Sequence, residues 1–306
     1  MIYYIIRRLL MLIPTLIGIT FVSFLILQLV PGDPARVIAG IEAEEEVVEA
    51  IRESLGLHKP IILQYWMFVK NVAKGDFGES IRTKHRVIDE VWPRFLNTVR
   101  LSLVSIVIAF FVGITIGTIA GVYRNSSIDY STMVLILLGI STPSFWSGLL
   151  FILVFSVYLG WFPAGGFTGI QSIVLPAITL AAGPAAMTAR MARASILDVL
   201  RQDYIKTALA KGQKESKVIY KHALKNALIP TVTIIGLQFG YLIGGAVLVE
   251  TIFTWPGLGR LIVQAIDSRD YPVVQGGVLI FASSFVFINL AVDILYTYID
   301  PRVTYE

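Results

Sequence analysis

The side chains able to do bond chemistry are too scattered to form a reaction centre. His58, His85 and His222 stand far apart without ligand spacing, and there is no cysteine, so neither a metal site nor a disulfide framework is expected. No Gly-x-x-x-x-Gly-Lys-Ser/Thr loop is present to cradle a nucleotide, and no His-Glu-x-x-His or Gly-x-Ser-x-Gly element to hold zinc or a nucleophile. What is concentrated is charge. From Arg190 to Lys225 the chain carries nine Lys/Arg against Asp198, Asp203 and Glu215, between strongly apolar segments. The chemistry open to such a stretch is docking through ion pairs and hydrogen bonds. No catalytic residue, metal ligand or cofactor site is expected on this chain, and ATP, if it drives the process, binds elsewhere.

The elements that position this stretch are membrane spans. The composition is 56% hydrophobic and 15% charged, where soluble domains run near a quarter charged. The apolar residues form six blocks, each close to the roughly 20 residues that cross a bilayer: Leu9–Val30, Thr98–Val122, Ser131–Tyr158, Ile173–Ala189, Leu228–Val249 and Val273–Tyr298. The expected fold is all-α, a polytopic membrane protein with six transmembrane helices. The first block is too long for a signal peptide and has no small-residue cleavage site, so it reads as an uncleaved span. The net charge of +4 follows topology rather than any nucleic-acid motif, so no nucleic-acid partner is expected. Arg7 and Arg8, Arg124, the Arg190–Lys225 loop and Arg302 place the N-terminus, two loops and the C-terminus in the cytoplasm. The organisation is a first span over 1–30, an extracytoplasmic subdomain over 31–97, and a five-helix core over 98–306 with a cytoplasmic loop at 190–228. In the outer segment, Glu42–Ser54 has helical spacing with Val47, Ile51 and Leu55 on one side; Gly56 caps it and Lys59-Pro60 restarts an extended stretch. That segment reads either as an amphipathic subdomain on the membrane surface or as a contact for an outside partner.

Two glycine ladders at four-residue spacing, Gly113, Gly117, Gly121 and Gly236, Gly240, Gly244, strip one helical face of side chains and predict close helix packing in a bundle or dimer. Pro143, Pro176, Gly183 and Pro184 predict kinks, static or mobile. The middles of the spans hold no Asp, Glu, Lys or Arg, which argues against an ion-coupled secondary transporter. Gln28, Gln238 and Asn289 are polar enough to line a pathway, but bonding between neighbouring helices is the reading favoured for each.

In the basic loop, Ser195 to Leu209 is helix-compatible with Ile196, Val199, Leu200 and Tyr204 on one face. Gly212 ends that helix, and Lys214–Leu228 forms a second one leading to Pro230. Two short helices around a glycine make a knob suited to a groove on a rigid partner; a solvated basic loop beside anionic headgroups is the other reading.

The run Asp203-Tyr204-Ile205-Lys206-Thr207-Ala208-Leu209-Ala210-Lys211-Gly212, continuing through His222-Ala223-Leu224-Lys225-Asn226-Ala227, resembles the coupling loop of ABC-importer permeases of the dipeptide/oligopeptide/nickel family. Lys206 and Thr207 stand where the general motif begins Glu-Ala, and its closing proline comes late, at Pro230. The likeness extends through Pro31-Gly32-Asp33-Pro34, Leu55-Gly56-Leu57, Gly75-Asp76-Phe77-Gly78, Pro143-Ser144-Phe145, Leu175-Pro176-Ala177, Glu250 to Gly259, Arg269-Asp270-Tyr271-Pro272, Asp293 to Tyr296 and Asp300-Pro301-Arg302. The length and the Pro31–Gly40 run are also similar to glutathione-type members. The resemblance implies a type I importer permease fold in the bacterial or archaeal plasma (inner) membrane. It implies uptake of short peptides, with nickel chelates or other small solutes as the alternative. The partners it implies are a second homologous permease, two ATPases that carry the ATP and magnesium, a substrate-binding protein, and membrane lipid. It places Tyr204, Thr207, Ala208, Ala210, Lys211 and Gly212 in the ATPase-coupling loop, and turns 31–97 and Glu250–Pro272 toward the binding protein.

Overall fold

A computed structural model describes residues 2–29, 33–40, 43–54 and 56–299. Pro31-Gly32, Leu55 and Asp300–Arg302 of the expected motifs lie outside these, as does the side chain of Gln28. The described residues are helical, with one isolated antiparallel bridge, Glu79 to Arg86, and no strand. The helices are α1 (Ile2–Leu29), α2 (Pro34–Ala39), α3 (Glu45–Ser54), α4 (Ile61–Ala73), α5 (Val87–Val122), α6 (Ser127–Ser141), α7 (Ser144–Phe151), α8 (Val174–Leu200), α9 (Asp203–Ala210), α10 (Glu215–Lys217), α11 (Leu224–Ile252), α12 (Leu258–Asp267) and α13 (Tyr271–Ile299). The chain divides into two compact units, 97–260 with the chain from 287 onward, and 2–96 with 261–286.

Among the described residues, four helices are long and apolar enough to cross a membrane: Val87–Val122, Ile170–Leu200, Pro230–Ile252 and Tyr271–Val292. The pair α6 and α7, the latter extended by a π-helical stretch Ile152–Tyr158, counts as a fifth if it is one span. The block expected as a single helix over 131–158 is therefore broken. It bends by 105° between Ser141 and Ser144, because Pro143 has no N–H to continue the ladder and holds Thr142 in extended backbone (φ −83°, ψ 123°). Over the described side chains of α1, Leu9–Leu25 is a further apolar stretch.

In the unit of 97–260, α5 lies against α8 along its glycines. A methyl built on Gly113 falls 2.6 Å from Thr188 Cβ, on Gly117 2.8 Å from Ala192 Cβ, and on Gly121 2.8 Å from Ile196 Cγ2. The other ladder is less uniform. Gly236 faces Val292, at 2.7 Å from a built methyl, whereas Gly244 is exposed with open space around it, so among the described residues none closes on that rung. Gly240 is buried. The core gathers Leu101, Leu175, Leu180, Leu242, Val249, Phe253 and Trp255. At the far end of α8, Arg193 forks onto Asp129 with Nε–Oδ1 at 2.7 Å and Nη2–Oδ2 at 2.8 Å. Asp129 is almost fully buried and also accepts the Asn125 N–H at 3.0 Å, so the charge that closes the α6–α8 junction is satisfied on both oxygens.

In the unit of 2–96 and 261–286, α3 begins at Glu45, and Val48, not Val47, faces inward: Val48 is fully buried and Val47 is 48% exposed. The stretch after Pro60 is helix α4 rather than extended chain. Pro60 takes the N-cap position and its carbonyl accepts from Leu63 and Gln64, so the proline restricts only the residue before it and starts the next helix. Gln275 of α13 and Ser23 of α1 exchange side-chain-to-backbone hydrogen bonds at 3.3 and 3.4 Å. The Asp270 carboxylate accepts the Ser80 hydroxyl and the Ile81 N–H, fixing the bridge-forming loop to the start of α13.

Candidate functional site

The basic loop is a compact projection built on one buried side chain. Ile205 is 1% exposed and packs with Ile196, Val218, Ala223 and Ala227, which come from the end of α8 and the entry to α11. The continuous helix expected over 195–209 is two helices. α8 stops at Leu200, and Gln202 adopts extended backbone (φ −69°, ψ 147°) before α9 starts with Asp203. The acid in that first turn suits the positive end of the helix dipole, and its ion pair with Lys206 (2.9 Å) holds the Asp203 carboxyl below its ordinary range.

α9 ends in a glycine motif. Gly212 has φ +74°, its N–H donates to Leu209 O at 2.9 Å, and the Gln213 N–H reaches back to Ala208 O at 3.3 Å. This is the left-handed cap that favours glycine. Among the described residues nothing lies within 4 Å of a methyl built there. The second helix expected over 214–228 is not separate. Residues 215–217 run into a π-helical stretch Val218–Ala223 and on into α11, with Pro230 inside that helix rather than at its start.

The named loop residues lie on α9 and its glycine cap. Tyr204, Thr207, Ala210, Lys211 and Gly212 are exposed, and Ala208 is half-buried. Tyr204, expected on the apolar face, is 43% exposed; its hydroxyl accepts from Asn226 Nδ2 at 2.7 Å, a partner 22 residues away that local spacing does not reveal. Leu209 and Tyr220 add exposed apolar surface to this basic projection. His222 bonds Gln213 at 3.1 Å, tying the turn after Gly212 to the π-helical stretch.

A second feature lies between the apolar helices. The 105° bend leaves a cleft of about 610 Å³ bordered by α6, α7, α8 and α11. Its polar lining is Thr142, Ser144, Ser147, Thr179, Gln238 and Tyr241, with no charged side chain. The volume fits a small solute. Of the three polar residues singled out from sequence, Gln238 lines this cleft and half-buried Asn289 does not. The hydroxyls escaped sequence reasoning because Ser144 and Ser147 face the cleft only through the bend; the signal available was the Pro143-Ser144-Phe145 motif itself.

The third feature is a buried carboxylate. Glu250 is fully buried near the end of α11. Its Oε1 accepts the Thr98 hydroxyl at 2.5 Å and its Oε2 the Arg260 N–H at 3.1 Å, while Thr98 Oγ1 accepts the Leu258 N–H at 2.8 Å. A side chain on Gly257 would overlap the carboxylate. Asn97 donates to Pro256 O at 3.0 Å and accepts from Trp255 Nε1 at 3.2 Å through its backbone carbonyl. The Glu250-to-Gly259 run is thus a closed turn locked to the polar edge of α5, with the first N–H groups of α12 satisfied.

Among the described residues no group of three His, Cys, Asp or Glu is placed to hold a metal ion. Residues 113–305 match the family described as "Binding-protein-dependent transport system inner membrane component", and residues 1–102 match the N-terminal region of such membrane components. The chain is 48% identical over 306 residues, all of it and all of the relative, to the glutathione transport system permease protein GsiC of Escherichia coli K12, and equally to that of Shigella flexneri serotype 5b. In fold it is similar to the inward-facing MetNI methionine ABC transporter (TM-score 0.57, 19% identity, 70% of this chain and 97% of that one). It is also similar to an amino acid ABC transporter (TM-score 0.51, 18% identity, 69% and 92%).

Proposed function

The chain belongs to the family of binding-protein-dependent transport system inner membrane components, and from that premise we infer that it is the permease subunit of an ABC importer that takes up glutathione or a similar short peptide. The observation that carries this reading is the end-to-end likeness to glutathione permeases. The chain is a multi-pass inner-membrane protein. The spans number six, with α1 first and the bent pair third. Residues 31–97 form the segment outside, and both termini are cytoplasmic by the distribution of Lys and Arg. The partners are a second permease, two ATPases holding ATP and magnesium, and a binding protein that delivers cargo.

The geometry supplies a mechanism. The α9–Gly212 projection seats in a groove of an ATPase through Tyr204, Thr207, Ala208, Ala210, Lys211 and Gly212. Because Ile205 anchors it to α8 and the entry to α11, movement of the projection moves both helices rather than a slack loop. The same two helices border the cleft, so nucleotide-driven closure of the ATPases reshapes the passage. The cleft offers hydroxyls and one amide. A peptide that carries charge at both ends meets hydrogen bonds there but no fixed counter-ion that would trap it.

Uptake of radiolabelled glutathione by cells carrying the intact transporter tests the substrate. Deletion of this chain is expected to abolish uptake, and so is loss of the ATPases. Unchanged uptake in the deletion strain refutes the reading. Normal glutathione uptake in a strain whose ATPases are inactive but whose ion gradient is intact refutes the drive.

A further inference from the structure

Helix α4 carries two apolar flanks, and the described residues cover only one. Tyr65 and Phe68 turn to α1: the ring of Tyr65 packs on Phe21 and Phe24, each with centroids 5.6 Å apart, and Phe68 lies 6.0 Å from Phe24. The adjoining flank, Ile62, Trp66, Val69 and Ala73, recurs at intervals of four, three and four and so forms one stripe. The described residues leave it largely uncovered: Ile62 is 81% and Trp66 64% exposed. On the other side of the helix, Gln64 donates to Leu57 O at 3.1 Å and Lys59 O at 2.8 Å, and Asn71 and Lys74 are exposed.

The depth of α4 is set by its contacts. The Tyr65 hydroxyl lies 2.9 Å from Thr20 Oγ1 and 3.2 Å from Ile17 O. Ile17 stands eight residues before Leu25, and the apolar sequence runs on to Val30, so Ile17 lies at least about 12 Å inside that block along the axis at 1.5 Å per residue. The tyrosine side chain spans part of that distance, so the α4 backbone sits within the apolar band of α1 rather than above it. Exposed Ile13, Ile17 and Phe21 of α1 continue the uncovered surface. In water, an isoleucine and a tryptophan so exposed would forgo the gain that burial of apolar surface brings. A phenol paired with a hydroxyl and a carbonyl is what a polar group in hydrocarbon requires.

From these contacts we propose that α4 is an interfacial helix, set edge-on into the leaflet at the C-terminal end of α1, with the Ile62–Trp66 flank among acyl chains and the Asn71–Lys74 side toward headgroups and water. That leaflet is the outer one in the orientation given above. The segment between the first two spans then belongs partly to the bilayer and is not wholly an aqueous subdomain.

The chain has no native cysteine, which permits single labels at Ile62→Cys, Trp66→Cys and Asn71→Cys in the assembled transporter, its partners freed of cysteine, in phosphatidylethanolamine–phosphatidylglycerol vesicles. Spin-label relaxation by oxygen, which partitions into lipid, is compared with relaxation by a water-soluble nickel chelate. Oxygen is expected to dominate at 62 and 66, and the preference to reverse at 71. Nickel access at 62 and 66 equal to that at 71 places the flank in water and overturns the proposal. Exclusion of both reagents at 62 and 66 means that a protein partner covers it and overturns the proposal equally. Either refutation leaves the importer reading untouched.

Discussion

Two glycine-to-alanine substitutions separate helix packing from helix propensity. At Gly117 a methyl falls 2.8 Å from Ala192 Cβ and 2.9 Å from Ala189 Cα. Carbon atoms rest about 3.5–4.0 Å apart, so α5 and α8 must part by about 1 Å or shift along each other. Overpacking of this kind costs about 1–3 kcal/mol. At Gly244 the same methyl meets nothing within 4 Å. Both positions lie inside helices, where alanine is favoured over glycine by about 1 kcal/mol. That gain is common to the two variants and cancels between them. Gly117→Ala is therefore expected to be about 1–3 kcal/mol less stable than Gly244→Ala in unfolding of the purified chain in detergent. Equal stability of the two refutes the close α5–α8 contact. Repeating the pair in the assembled transporter asks a second question: a defect at Gly244 that emerges only there places another chain's helix on that rung.

Other substitutions test the coupling path and the ion pair. Gly212→Asn, which tolerates positive φ, and Gly212→Trp leave the spans folded because the site is open within this chain; loss of uptake with retained ATPase activity in both is expected, and normal uptake in the tryptophan variant counts against the ATPase contact. Ile205→Ala removes the anchor of α9 at a local cost of about 2–5 kcal/mol and is expected to raise protease sensitivity near Arg201 and uncouple ATP hydrolysis from uptake; an intact loop with full coupling sinks the lever argument. Asp129→Ala strands the Arg193 guanidinium at a cost of about 3–5 kcal/mol, whereas removing both partners is expected to cost less; a double variant as unstable as the two single losses combined contradicts the pairing. Gln238→Leu with Ser147→Ala strips hydrogen bonds from the cleft and is expected to lower glutathione uptake without changing binding-protein affinity; unaltered uptake removes the cleft from the route.

What the sequence makes legible here is periodic. Gly113, Gly117 and Gly121 state their shared face by spacing alone, and Pro143 announces a break. The size of the bend does not follow from the proline; it depends on how α7 seats against α8, a contact between distant residues. The stop at Leu200 is illegible for a related reason. Leu200-Arg201-Gln202-Asp203 contains neither glycine nor proline, and the helix ends there because Ile205 is buried against Val218 and Ala223. Val47 and Val48 are adjacent and chemically identical, so periodicity chooses the inward one with an uncertainty of one position. The Pro60 misreading has another origin: the proline that closes one segment starts the next helix, and both roles look the same on paper.

The turn after α11 has an evolutionary corollary. The carboxylate of Glu250 occupies the volume that a side chain at Gly257 would need, so the two positions compete for one space. A methyl at 257 forces the Glu250 carboxylate to swing away or to shorten, and either change relinquishes Thr98 or the Arg260 amide. Change at 257 is therefore expected to come with change at 250, and Glu250→Asp is the smallest substitution that frees the space.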